Sequence, residues 1–293
     1  MTMPIALADW QARGRRFDDR GRGLFVVDEG AGDAVLCIHG FPTASWDWSW
    51  IWDGLVSDHR ALAPDLLGYG FSDKPTGQDI TFFEQADLVE ALLRDRGISR
   101  AHVLCHDYGD TVGQELLARA REGRLTFEMR SLCLLNGGII PGEHRPRPIQ
   151  RLLMGPLGPL VQRFMNERRF SRSFSAVFGP DTQPSAQELS AFWSLITHNG
   201  GLRIMHRLSR YQRERQVHKQ RWVGALQHPV VPLRFVNGPE DPVSGEHMAK
   251  VFSERVPDPD VVLLEGIGHY PQVEAPERVL SAWRDFIGRC GSG

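Results

Sequence analysis

Cys105-His106-Asp107-Tyr108-Gly109 joins an apolar run, His102–Cys105, to a stretch of helical periodicity that starts near Tyr108 and ends near Arg121. A buried strand that turns at once into a helix makes a tight corner. Only small residues fit two positions either side of its apex. The apex here is Asp107, with Gly109 after it and Cys105 before it. A side chain at such an apex is thrust out over the end of the sheet, where it can attack a substrate. An aspartate at a helix start also has a plain structural role, accepting the first helical N–H groups. The motif alone leaves both readings open. Cys105 is not read as the nucleophile, because Gly109 sets the register and a side chain two residues before the apex points elsewhere.

Outward from this corner the chain alternates between strand and helix. Arg15–Asp18 and Gly23–Asp28 read as a hairpin, and Ala34–Ile38 and Arg60–Ala63 as short buried strands. Phe82–Leu93 is helical by spacing. Ser131–Leu135, Pro232–Val236 and Val261–Leu264 are further strands, with helices over about Ser244–Val256 and Pro276–Ile287. Strands separated by helices imply a mostly parallel sheet covered on both faces. Between Gly137 and His228 the rhythm stops. That stretch has no strong strand signal, only helix-like pieces at Ile149–Leu153, Leu160–Arg169, Ala186–Ile196 and Leu202–Arg215. It reads as a helical insertion over the carboxyl edge of the sheet, where ligands bind in open α/β sheets.

Three loops weigh on the choice left open at Asp107. His39-Gly40-Phe41-Pro42 follows Ala34–Ile38. Asn237-Gly238-Pro239-Glu240-Asp241-Pro242 puts an acid after a late strand. Gly266-Ile267-Gly268-His269-Tyr270-Pro271 follows the last strand and offers a loop histidine. Nucleophile, acid and histidine in that order, each after a strand, is the order of the α/β-hydrolases. The expected fold class is therefore α/β, an α/β-hydrolase fold with an inserted helical cap. Residues 1–136 and 229–293 would form the core and 137–228 the cap. Asp107, Asp241 and His269 are the expected catalytic residues. The backbone N–H groups of Phe41 and Tyr108 are the expected oxyanion-hole donors. His39 and His106 belong to their motifs and read as hydrogen-bonded structural residues.

The HGFP loop, Asp65–Pro75 (DLLGYGFSDKP) and His106–Asp110 (HDYGD) resemble the epoxide hydrolase and haloalkane dehalogenase branch of that superfamily. A closer likeness, to a vertebrate group within the branch, runs through His106–Leu117, Leu135–Pro146, Val177–Pro180, Arg221–Leu226 and His269–Glu274. It covers most of the chain, from about Phe25 to Ile287.

An aspartate nucleophile bears on the reaction. Attack on an ester or amide would form an anhydride, which is uphill. Attack on an alkyl carbon bearing a strained oxygen or a halide gives a stable ester instead. In the expected cycle Asp107 forms an alkyl-enzyme ester. Neutral His269, oriented by Asp241, then activates the water that hydrolyses it. Epoxide opening also needs an acid for the new alkoxide, and the resemblance implies two cap tyrosines. Tyr211 matches the second of these; the first has no evident match. A halide would need N–H donors. The resemblance places them on the residue after the nucleophile and in the HGxP loop, but here these are Tyr108 and Phe41, whose side chains carry no N–H. Hydrolysis of an epoxide to a diol is thus the favoured reading. A haloalkane dehalogenase-type hydrolase, and a hydrolase-fold receptor with little turnover, are the alternatives.

Trp46, Trp193 and His198 are the candidate pocket residues. Trp46, Trp48, Trp50 and Trp52 would pair at i, i+4 if helical, and packing of a helix explains them as well as a pocket wall does. No metal-ligand spacing, dinucleotide motif or Walker loop is present, so no cofactor and no metal are expected.

The 293 residues are 41% hydrophobic and 24% charged, as in an ordinary soluble protein. No stretch approaches the ~20 apolar residues of a membrane span, and Met1–Gly14 lacks the pattern of a signal peptide. The four cysteines have no zinc or CxxC spacing and read as buried thiols, so a cytoplasmic location is expected. The net charge of −2 argues against a nucleic-acid partner. The expected partners are a small hydrophobic epoxide or related electrophile and, in a homodimer, a second copy of the chain. The charge is unevenly spread. Gly137–His228 carries fourteen basic against five acidic residues, a net +9, which leaves −11 for the rest. This basic stretch could dock on the acidic body, attract anionic substrates or lipid surfaces, or present a solvated face. The first and third readings are favoured.

Overall fold

The computed structural model describes residues 4–77, 79–155 and 158–290. Met1–Met3, where the stretch read for a leader begins, and residues 156 and 157 of the basic stretch lie outside these. Eight strands form one sheet: β1 (Arg15–Asp19), β2 (Arg22–Gly30), β3 (Asp33–Ile38), β4 (His59–Pro64), β5 (Arg100–His106), β6 (Glu128–Leu135), β7 (Leu233–Asn237) and β8 (Asp260–Leu263). Their order is β1-β2-β4-β3-β5-β6-β7-β8. The pairs β1/β2 and β2/β4 are antiparallel and all the others are parallel.

The central strands are apolar on both faces because helices cover both. Val35, Leu36, Ile38, Val103, Leu104, Leu132 and Leu134 are fully buried. Cys37, Cys105 and Cys133 sit in these strands as buried free thiols. Burial pushes the Cys105 thiol far above its usual range, which makes it a poor nucleophile. The helix Phe82–Asp95 begins where the Thr81 hydroxyl accepts the N–H of Glu84 at 3.1 Å.

The Asp65–Pro75 loop is a polar knot. The Asp65 carboxylate accepts the N–H groups of Ser45 and Phe71. Lys74 donates to the carbonyls of Tyr69, Gly70 and Ser72. Gly70 has φ +48°, and a Cβ there would lie 2.1 Å from an Asp65 oxygen. The knot thus needs glycine at that position.

Between β6 and β7 the described residues form helices only. Two of the helix readings there break in the structure. Leu160–Arg169 is interrupted at Met165-Asn166, where the Asn166 side chain accepts the N–H of Arg169 and starts a new helix, Glu167–Ser175. Leu202–Arg215 divides into a 3₁₀ turn ending at Ile204 and helices Met205–Leu208 and Tyr211–Val217. The tryptophan run is also broken, into a 3₁₀ turn Ser45–Trp48 and a helix Trp52–Val56. Trp46 and Trp50 still pair, with ring centroids 4.9 Å apart.

The helical stretch is tied to the sheet body at its C-terminal end. Lys219–Gln227 packs on Tyr108–Arg121. Arg221 pairs with Glu115 and Glu122, and Arg210 pairs with Asp79. Glu214 accepts the N–H of Phe82. The docking reading of the basic charge therefore holds for Arg210 and Arg221.

Candidate active site

Asp107 stands at the end of β5 with φ 47° and ψ −102°, and Tyr108 begins the next helix. A β-carbon at Gly109 would lie 2.2 Å from the Ile38 carbonyl oxygen. One at Gly40 would lie 2.7 Å from Nδ1 of His106 and 3.0 Å from the β-carbon of Asp107. Both positions leave no room for a β-carbon, Gly109 as the corner motif predicts. The Asp107 side chain makes no capping hydrogen bond to its helix. Its carboxylate instead accepts the N–H of Phe41 at 3.0 Å. Tyr108, as first residue of its helix, presents an N–H with no intrahelical acceptor.

The structure brings Asp107, Asp241 and His269 together. Nδ1 of His269 lies 2.7 Å from the Asp241 carboxylate, and Nε2 faces Asp107 at 3.9 Å. All three residues are buried. Asp241 is further held by the Asn136 amide at 3.1 Å, the Ser244 hydroxyl at 2.8 Å and the Val243 N–H at 2.7 Å. Burial works against its charge, but His269 and these donors outweigh burial and hold its pKa below the usual value. For His269 burial also opposes the charge. Asp241, then Asp107 and Glu274, outweigh it and raise the imidazole to about 9.

The loop carrying His269 is pinned from two sides. The Glu274 carboxylate accepts the N–H groups of Gly268 and Tyr270 from that loop, and of Gly179 from the helical stretch. Nε2 of His106 lies 2.8 Å from the carbonyl oxygen of His269. Burial lowers His106 to about 4, so it is neutral and donates to that carbonyl. His39 accepts the N–H of Leu66. Both histidines support loops, as expected.

A cavity of about 580 Å³ reaches His269, while Asp107 and Asp241 lie behind its lining. At its inner end it is lined by Phe41, His269 and Tyr270, and above them by Phe170, Phe174, Ile196 and Met205. It runs outward past Leu153, Val161 and Met165 to Arg147, Leu152, Phe164 and Arg169. Its walls are mostly apolar, which suits a hydrophobic ligand.

None of the three candidate pocket residues lines this cavity. Trp46 packs on Phe192 and Trp50, and its indole N–H donates to the Ile5 carbonyl. Trp193 packs on Phe170 from behind, and the His198 ring packs on Phe71. Phe170 lies between Trp193 and the cavity, whereas the partners of Trp46 and His198 do not themselves line it. Tyr211 is also absent from the lining. It is buried against Phe41 and Tyr108, with ring centroids at 5.5 and 5.3 Å. Burial and the nearby Asp107 charge raise its hydroxyl pKa. The aromatic wall comes instead from Phe170, Phe174 and Tyr270, with Phe178 stacked on Tyr270. The i, i+4 spacing of Phe170, Phe174 and Phe178 is the signal that marks it. Asn136, at φ 44° just after β6, is a further supporting residue, and its position after a strand is its only sequence cue. No group of three His, Cys, Asp or Glu side chains among the described residues is placed to hold a metal ion.

A sheet of this order, with a strained aspartate after β5, an acid after β7 and a histidine after β8, defines a class. The chain belongs to the α/β-hydrolase family, whose profile matches residues 35–282. It is 45% identical to the mesoderm-specific transcript homolog protein of Bos taurus over 296 residues, 96% of this chain and 88% of that one. It is 40% identical to LipZ of Mycobacterium tuberculosis, named as a hydrolase, over 96% of this chain and 98% of that one. A haloalkane dehalogenase from Bradyrhizobium elkanii superposes with a TM-score of 0.79 at 24% identity, covering 95% of this chain and 98% of that one. An epoxide hydrolase, CorEH, superposes at 0.77 and 18%, covering 94% and 98%. These two share the fold.

Proposed function

We propose that the protein is a hydrolase in which Asp107 attacks an electrophilic alkyl carbon, and that the substrate is a hydrophobic epoxide opened to a diol. The observation that carries this reading is the Asp107 carboxylate at a corner with φ 47°, facing Nε2 of His269 at 3.9 Å. A carboxylate in the nucleophile position suits alkyl rather than acyl transfer. In the first step a carboxylate oxygen bonds to the ring carbon and the C–O bond of the epoxide breaks. The new alkoxide takes a proton, with the Tyr211 hydroxyl as its source. In the second step His269 removes a proton from water, and the hydroxide attacks the Asp107 carbonyl carbon. The Phe41 and Tyr108 amides hold the oxyanion, which collapses to free the diol and restore the carboxylate, and the proton taken up by His269 then returns to the Tyr211 phenolate. Asp241 balances the imidazolium. The helices between β6 and β7 act as the cap that closes the apolar cavity over Asp107. A halide leaving group has less support, because neither Phe41 nor Tyr108 offers a side-chain N–H and Trp193 stands behind Phe170.

Intact-mass spectrometry tests the reading. His269→Gln, incubated with a panel of lipophilic epoxides, should accumulate an adduct of epoxide mass that maps to Asp107. Asp107→Asn should form none. Absence of both adduct and diol across epoxides and alkyl halides would refute it.

A further inference from the structure

We propose that the outer mouth of the cavity is a docking face for an anionic lipid bilayer, through which a lipophilic ligand enters directly from the lipid phase. Six large apolar side chains are left exposed among the described residues, and two of them lie here, Leu152 at 47% and Phe164 at 62%, while a third, Leu160 at 52%, adjoins Val161 of the lining. Leu152 and Phe164 also line the cavity, so its apolar wall continues out to the surface. Exposed apolar surface joined to an apolar cavity is what an interfacial segment presents to the acyl-chain boundary.

The charge around the mouth identifies the partner. Residues 145–172 hold seven arginines and one acid, Glu167, for a net +6. Six of these arginines, among them Arg151, Arg163 and Arg168, are exposed. None of the seven makes an ion pair among the described residues, whereas Arg210 and Arg221 of the same basic stretch do. The positive charge at the mouth is therefore left for an external anion. A long arginine stem can lie along the apolar surface with its head in the phosphate layer. A second copy of the chain meeting this face across a two-fold axis would bring the same positive charge and be repelled. A bilayer with anionic headgroups satisfies the arginines and the apolar side chains together. This inference does not depend on the chemistry at Asp107.

Vesicle co-sedimentation tests it, comparing phosphatidylcholine vesicles with mixed phosphatidylcholine–phosphatidylglycerol vesicles. The protein should partition onto the mixed vesicles, and added salt should weaken this. Arg163→Gln with Arg168→Gln should reduce partition about fivefold for each arginine removed. Leu152→Ser with Phe164→Ser should also reduce it, while Val230→Ser, exposed away from the mouth, should not. All these side chains are at the surface, and thermal unfolding checks that each variant folds. The proposal fails if the protein ignores both vesicle types, or if the mouth variants bind like the parent. It also fails if those variants instead dissolve a dimer seen by sedimentation, because a second copy would then be the occupant.

Discussion

Nη2 of Arg215 lies 3.0 Å from the carbonyl oxygen of Asp107, so a guanidinium from the helical stretch grips the backbone of the corner that holds the aspartate. Its Nε donates to the Thr111 hydroxyl at 2.7 Å, and its plane lies 4.8 Å from the centre of the Tyr211 ring. Arg215 is only 2% exposed and has no ion-pair partner among the described residues. Burial raises the neighbouring Asp110 carboxyl well above its usual range, which weakens it as a counter-charge for the guanidinium. Arg215 is thus a positioning residue for both Asp107 and Tyr211. Arg215→Gln should slow adduct formation about a hundredfold, the scale expected for a misplaced reacting group. Arg215→Lys should not restore it, because one ammonium cannot reproduce the forked contacts. Single-turnover mass spectrometry separates this from a stability defect. A folded Gln variant that forms adduct at the parental rate would remove Arg215 from the mechanism.

The His269 imidazole should change protonation during the proposed cycle. Asp241, Asp107 and Glu274 overcome burial and hold it at about 9 in the resting protein, so it is protonated at neutral pH. Ester formation would remove the Asp107 charge and lower that pKa, freeing the base at the step that needs it. Asp107→Asn imitates the uncharged ester. Imidazole NMR should show the His269 pKa falling by about one unit in that variant. An unchanged titration would mean that Asp107 does not set the charge. The sign for stability follows from the same shift. The folded value lies above the usual 6.5, so the imidazolium contributes stability fully below that pH and loses it as pH rises through about 9. Denaturant midpoints on either side of that window should show the loss, and His269→Gln should flatten it.

The parts of the site that could be read in the sequence are those the backbone forces. Gly40 and Gly109 stand where the corner and the loop after β3 approach too closely for a β-carbon, the acid follows Leu233–Val236, apolar but for Arg234, and the histidine follows the apolar run Val261–Leu264. Such constraints leave a local trace. The cavity wall leaves little, because its residues come from short helices whose packing decides which face turns inward. Trp46 and Trp193 look like pocket residues by size, yet Trp46 packs on Phe192 and Trp193 stands behind Phe170. Arg215 lies in the polar run Tyr211–Gln216, which reads as a solvated helix. Only the tertiary contact with Asp107 reveals it as buried.

The Glu274 carboxylate links the His269 loop to the helical stretch, and its removal should loosen both. It accepts the N–H groups of Gly179, Gly268 and Tyr270 at 2.8, 2.9 and 2.9 Å. An unpaired buried donor costs about 1–3 kcal/mol. Glu274→Ala strands three N–H donors and the Thr182 hydroxyl, all partly buried, of which water can satisfy some, so a loss of about 2–4 kcal/mol is expected. Glu274→Gln keeps one acceptor and should lose less. Because the Glu274 charge also helps raise His269, the Gln variant should lower the imidazole pKa even where stability is nearly kept. Urea midpoints together with imidazole NMR check the two effects separately. A Gln variant with parental stability and parental pKa would reduce Glu274 to a bystander.

Tyr211 is the one tyrosine between β6 and β7, and its burial beside Asp107 makes a sharp test of the leaving-group step. Burial and the carboxylate both disfavour the phenolate, so the hydroxyl keeps its proton and can donate it to a developing alkoxide. Tyr211→Phe leaves the ring packing against Phe41 and Tyr108 in place and removes only the donor. With epoxides, loss of one general acid should slow adduct formation by about 10²–10⁴-fold. With an alkyl bromide, whose leaving group needs no proton, the same variant should react at nearly the parental rate. Stopped-flow comparison of the two substrate types isolates the proton from the packing. Equal slowing of both would mean that Tyr211 acts only by shape. No slowing of either would mean that the alkoxide takes its proton from another group.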